Sequence, residues 1–291
     1  MKRLQPPEMD GLAIFDEIAR AKTMGRGPRL QGLRPTLETS YQNYRRLAPN
    51  LESLAPLSTL SHTDREDLSH CYSTPTEALR RMRATLQSLA HRCPYCHLNE
   101  ADTLDHYLPK GAYHEFIVFP YNLVPCCSTC NGRRGDTKAS SPWPSNPRRL
   151  VHMYFDLIEN SEQLLTAKLE RGASQQHIAT FVLPDEGSAT SALSRLYLRH
   201  ADMLGLKDRY QLASVDKLRE ARAEIGSLIS IYPDVPSTQI ASFFRSKAQR
   251  LEMDNGRNHW ESALAHAIAD SEEGFIADSI ARANPLVNGG T

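Results

Sequence analysis

Four of the six cysteines stand in two pairs of identical spacing, Cys93-Pro-Tyr-Cys96 and Cys127-Ser-Thr-Cys130. Two residues between cysteines let both thiolates turn onto one ion, and two such turns complete a tetrahedral Zn²⁺ site. A redox Cys-x-x-Cys is the competing reading, but two independent pairs favour a metal. Cys126 stands one residue outside the spacing and reads as a small buried hydrophobe, and Cys71 is isolated.

The interval between the pairs carries the information. A plain zinc ribbon has about 15 to 20 residues there. This interval is longer and holds Asp105, His106, Pro109, His114 and Asn122, with Asn131 directly after the last cysteine. A structural zinc site needs none of these. Histidine titrates near neutral pH and can take a proton, while Asp and Asn offer hard oxygen ligands to a divalent ion. Each also has a plain reading, as a turn, cap or surface residue. Arg133, Arg134 and Lys138 follow, then Arg148 and Arg149, as candidate contacts to a phosphate backbone. A solvated face is the alternative for them, since Asp136 interrupts the run. His114 either touches phosphate or lies on a surface loop, and His91 and His97 read as bystanders to the first knuckle.

Taken together, "CPYC", "LDHYLP" and "YNLVPCCSTCN" resemble the HNH endonucleases of the ββα-metal (His-Me finger) type. The resemblance covers about 60 residues, from Cys93 to Asp156. It implies that His106 is the general base, that Asp105 and Asn131 hold a catalytic Mg²⁺ or Mn²⁺, and that Asn122 orients the His106 ring through the backbone. Asn rather than His stands at the third signature position, a variation within the family. The zinc would be structural, closing the ends of the module. The "YFD" at Tyr154 to Asp156 reads as packing against that core. Stand-alone chains with an "LDHYLPK"-like signature resemble nuclease subunits of bacterial anti-phage systems of the Septu type, which work beside an ATPase. The expected function is metal-dependent cleavage of DNA in such a setting. An RNA-directed or nicking nuclease, and a non-catalytic zinc-ribbon binding module, are the competing readings.

The elements that must position these residues are mostly helical. The 291 residues are 40% hydrophobic and 23% charged, enough for a sizeable core. No run approaches the roughly 18 apolar residues of a membrane span. The basic start lacks an apolar stretch and a cleavage site, so the expected location is cytoplasmic. Net charge is zero, so any nucleic-acid contact must come from local patches or from a partner. Leu12, Ile14, Phe15 and Ile18 predict a first amphipathic helix and 36–48 a second, with 25–35 as a connector. Residues 74–93 predict a helix capped by Thr74, with Pro75 in its first turn and Glu77 completing a capping box. Residues 139–148, rich in Pro and Ser, mark an exit. A hairpin is expected within 166–184. Leu212, Val215, Leu218, Ala221, Ile225 and Leu228 predict one helix face, and two further helices follow. The expected fold is mainly α with a small α+β insert, an HNH core clamped by the four cysteines. Its expected regions are a helical 1–90, the nuclease module 91–158, and a mainly helical 159–291.

Overall fold

The computed structural model describes residues 1–23, 25–134, 148–158, 162–173 and 176–283. It is mostly helical, with two small antiparallel sheets. The chain divides into two compact units, one of residues 3–156 and one of 1–2 with 157–291. The helical region and the cysteine module that the sequence sets apart at residue 90 therefore share one unit. Among the described residues, no helix is long and apolar enough to cross a membrane.

In the first unit, α1 (Gly11–Arg20) begins at Asp10, whose carboxylate accepts from the N–H groups of Leu12 and Ala13. That satisfies two of the donors a helix start leaves open. α2 (Arg26–Leu47) runs through the stretch read as a connector. Pro28 falls in the first turn, where no intrahelical donor is required, and tertiary packing carries the helix past Pro35. α3 (His62–Ser73) starts with a capping box in which Ser61 and Asp64 bond reciprocally. α4 (Glu77–Gln87) is capped by Thr76, which accepts from Leu79 N–H at 3.4 Å. Thr74, expected as that cap, instead ends α3, its N–H donating to His70 O. Two threonines flank Pro75, and the proline ring keeps Thr74 out of the following helix.

Aromatic rings join these helices to the loop before the second cysteine pair. Tyr41 of α2 stacks on Phe119 at 4.0 Å, and Tyr44 meets Phe116 edge-on at 5.0 Å. Each fully buried side chain of this kind contributes on the order of 1.5–3 kcal/mol. Gly11 fits only as glycine, since a Cβ there would lie 2.9 Å from the Phe119 ring. β1 (Thr103–His106) and β2 (Leu123–Cys126) pair antiparallel, Asp105 opposite Val124 and His106 opposite Leu123. α5 (Ser128–Arg134) follows directly, its start met by Asp102, whose carboxylate accepts from Ser128 N–H at 2.6 Å.

In the second unit, β3 (Thr166–Arg171) and β4 (His177–Val182) form an antiparallel pair. Helices α6 (Ala192–Leu204), α7 (Leu206–Ile231), α8 (Ser237–Asn255), α9 (Trp260–Asp270) and α10 (Ala277–Ala283) complete it. The buried face of α7 is Tyr210, Ser214, Leu218, Ala221, Ile225 and Ile229. Leu212 and Val215, expected on that face, are 77% and 55% exposed. Two residues is about 200° of helical turn, so a stripe through Tyr210 leaves Leu212 on the far side.

Candidate functional site

The first knuckle is a tight loop. Arg92 and Glu100 pair as an isolated bridge, Cys93 N–H donates to Asn99 O at 2.8 Å, and His97 takes a left-handed backbone at φ 56° to close the turn. The second knuckle joins the end of β2 to α5. Together they bring the Sγ atoms of Cys93, Cys96, Cys127 and Cys130 within 4.8 Å of one another, all four residues buried. Cys96 Sγ and Cys127 Sγ lie 3.8 Å apart. A tetrahedron of Zn–S bonds of about 2.3 Å has edges of about 3.8 Å, so the four could hold a zinc ion. Backbone N–H groups of Leu98 and Cys130 point at Cys96 Sγ and Cys127 Sγ, each at 3.4 Å, an arrangement that favours thiolates. Cys126 stays outside this cluster. Its sulfur faces Thr103 Oγ1 at 3.4 Å, and burial pushes its thiol up.

A cleft of about 580 Å³ opens beside this centre, lined by Tyr72, Thr103 to His106, Pro109, Lys110, Ser128, Asn131, Gly132 and Arg134. Asp105, His106 and Asn131 therefore share one cavity, delivered by β1 and α5. Asp105 is 1% exposed. Tyr95, inside the first knuckle, donates to its Oδ2 at 3.0 Å, which ties the carboxylate to the cysteine cluster. Arg134 takes Oδ1 and also donates to the carbonyls of His106 and Tyr107. Asn131 reaches Thr103 Oγ1 at 3.3 Å.

His106 Nε2 lies 2.9 Å from Ile117 O. A carbonyl only accepts, so Nε2 carries the proton and Nδ1 keeps the lone pair. The Tyr72 ring packs against the imidazole at 4.5 Å between centroids. Burial drives His106 down to about 3, with Lys110, Arg134 and Arg83 adding to the shift. The ring is thus held neutral, with Nδ1 as its acceptor atom and the protonated form disfavoured by burial.

Asn122 is fully buried and does not touch the cleft. Its Oδ1 accepts from Leu108 N–H at 2.7 Å, and its Nδ2 donates to Leu108 O and Phe116 O. Its own carbonyl accepts from Tyr107 N–H at 2.8 Å. One side chain thereby pins both ends of the loop that presents Ile117 O to His106. Behind it, Tyr44 hydroxyl stands 3.2 Å from Asn122 Oδ1 and 2.9 Å from His152 Nε2.

The remaining expected residues lie elsewhere. Arg133 is exposed on α5 and does not line the cleft, and neither does half-buried His114. Arg134 lines it, but its guanidinium is committed to Asp105 and two carbonyls. Arg148 pairs with Asp156 at 2.7 Å and donates to Pro49 O, so it is a half-buried strut. Lys138 and residues 139–147 lie outside the described residues. Sequence reasoning missed Tyr95, Tyr72, Tyr44 and Lys110. Tyr95 had a signal in its place within "CPYC"; Tyr72 and Tyr44 come from distant helices and had none.

The chain is similar to protein ea31 of Escherichia phage lambda, 26% identical over 201 residues that cover 65% of each chain. It is also similar to Septu protein PtuB of Bacillus thuringiensis, 32% identical over 81 residues, which are 24% of this chain and 32% of PtuB. The chain thus spans just under two thirds of the length of the first relative and about a third of the second. No family model matches it, and no solved structure matches it significantly.

Proposed function

We propose that this chain is a metal-dependent endonuclease of the HNH type that hydrolyses phosphodiester bonds in DNA. The observation that carries the reading is the His106 imidazole, held at Nε2 by Ile117 O with Nδ1 left as acceptor, in one cleft with Asp105 and Asn131. In this reading His106 Nδ1 takes the proton of the attacking water. An anionic phosphate beside the ring stabilises the imidazolium as it forms, offsetting the cost that burial imposes. Asp105 and Asn131 offer the hard oxygen donors that Mg²⁺ or Mn²⁺ prefers, and Arg134 on Asp105 marks a place where positive charge is favoured. Those two residues would hold the ion, which supplies neutralisation of charge on the phosphate. Asn122 acts through the loop it pins and is a positioning residue. The cysteine cluster, with zinc, would fix the strand and helix that carry Asp105 and Asn131.

The likeness to Septu protein PtuB supports a setting in anti-phage defence, and in this reading the chain works beside an ATPase partner. Zero net charge is compatible with a partner that contributes to target binding.

The test compares wild type with His106→Ala on supercoiled plasmid, with Mg²⁺, Mn²⁺ or EDTA, zinc content being measured in each protein. Cutting that needs the divalent ion and is lost in His106→Ala with zinc retained is the expected result. Equal cutting by both proteins would remove His106 from the mechanism.

A further inference from the structure

The lining of the His106 cleft is unequal in charge. From α5 come Ser128, Asn131 and Gly132, none of them charged, and Arg134, whose charge is paired with the Asp105 carboxylate and which also donates to two carbonyls. From the turn after β1 comes Lys110, exposed and without a hydrogen bond or ion pair among the described residues. From α3 comes Tyr72, whose ring is backed by the Arg83 guanidinium at 4.0 Å. Arg83 donates to Tyr72 O at 2.8 Å, has no carboxylate partner among the described residues, and leaves its buried Nε unpaired. Among the described residues, Lys110 and Arg83 are therefore the positive charges beside His106 that no carboxylate pairs.

The backbone that carries Lys110 is rigid. Leu108 is held at both N–H and C=O by Asn122, and Pro109 O accepts from the N–H groups of Ala112 and Tyr113 at 3.0 and 2.9 Å. An ammonium on a fixed turn at the mouth of a cleft is a phosphate contact ready to form, with little backbone ordering left to lose.

Resting on the nuclease reading, we propose that Lys110 grips the substrate's phosphodiester backbone, and that the strand lies along the Tyr72–Lys110 wall rather than along the basic end of α5. Lys110 is a binding residue in this scheme. Arg83 adds positive potential and holds the Tyr72 ring in place.

The test uses full-length, zinc-loaded protein and a labelled DNA duplex, with anisotropy measured over a salt series without added Mg²⁺ or Mn²⁺. Steady-state cleavage is then measured with the ion present. Lys110→Gln should weaken binding by about three- to tenfold, lower the salt slope by about one, and raise KM far more than it lowers kcat. Lys110→Arg should restore most of the affinity. Arg133→Gln, the competing contact on α5, should change the slope less. If wild type cuts DNA while Lys110→Gln keeps its affinity and slope, or Arg133→Gln loses as much, the proposal falls and the nuclease reading stands. If wild type neither binds nor cuts DNA or RNA, both fall together.

Discussion

Arg134 places its guanidinium on the carboxylate of Asp105, in a cleft where that carboxylate is 1% exposed. The arginine bridges the last turn of α5 to the end of β1 through three acceptors, and it holds a positive charge at the residue that the nuclease reading assigns to a divalent ion. In that reading the two cations would compete for one carboxylate. Arg134→Ala should therefore bind Mn²⁺ more tightly than wild type, by about tenfold or more, read by calorimetry or by the Mn²⁺ paramagnetic signal. It should also lose about 1–3 kcal/mol of stability, because carbonyls at 106 and 107 lose their donor. Weaker Mn²⁺ binding in the variant would mean that Arg134 organises the ion's site instead of contesting it.

The cysteine cluster separates candidate ligand from bystander within five residues. Cys127 and Cys130 join the four-sulfur group, while adjacent Cys126 packs against Thr103. Wild type should carry one zinc per chain. Cys130→Ser should lose it and, with it, cooperative unfolding of the first unit, because structural zinc supplies on the order of 10 kcal/mol. Cys126→Ser should keep the zinc and lose about 1–2 kcal/mol from a buried site now holding a hydroxyl. Metal analysis of the three proteins checks this, and zinc loss from Cys126→Ser would exchange the roles of the two neighbours.

Much of this centre was legible because its signals are local. Cys-x-x-Cys spacing dictates convergence whatever surrounds it, and Asp105-His106 and Asn131 lie within a few residues of β-strand and helix ends that the same stretch forms. Tyr72 and Tyr44 were not legible, since they reach the site from α3 and α2 through packing that no short window encodes. The cap at Thr76 was missed because two threonines around one proline give the same local signal, and the choice depends on where α3 stops. The α7 face went astray for a related reason: Leu212 and Val215 fit a helical period, but burial follows the neighbours of Tyr210. Arg134 read as a phosphate contact because sequence shows a charge and not the carboxylate it meets.

Asn122 shows how a residue can serve a site without entering it. Its side chain makes bonds to Leu108 N–H, Leu108 O and Phe116 O, and the next carbonyl along, Ile117 O, holds His106. Asn122→Ala should cost about 2–4 kcal/mol through buried groups left unpaired. It should lower kcat by more than tenfold with KM little changed. Asn122→Asp keeps the acceptor for Leu108 N–H but offers no donor to the two carbonyls, so it should fall between. Denaturant melts and plasmid cleavage give both quantities. Full activity in a folded Asn122→Ala protein would sever the loop from the His106 ring.

His152 gives the fold a dependence on pH. It is fully buried, its Nδ1 accepts from Tyr154 N–H at 3.3 Å, and its Nε2 faces Tyr44 hydroxyl. Nε2 therefore carries the proton of the neutral ring, and Tyr44 can pass its own on to Asn122. A second proton at Nδ1 would point at an N–H group, in a site closed by Tyr107 and Phe155 and exposed to the fields of Arg148 and Arg134. Burial first, and those arginines next, hold His152 well below its ordinary value. The unfolded chain binds this proton near pH 6.5 and the folded chain does not, so stability is full above that pH and declines as pH falls below it. The slope from this one residue approaches ~1.4 kcal/mol per pH unit on the acid side. Denaturant unfolding of wild type and His152→Gln at pH 7.0, 6.0 and 5.5, with zinc content matched, should show a steeper acid loss in wild type. The same slope in both proteins would mean that other groups carry the dependence and that the His152 site takes up its proton without cost.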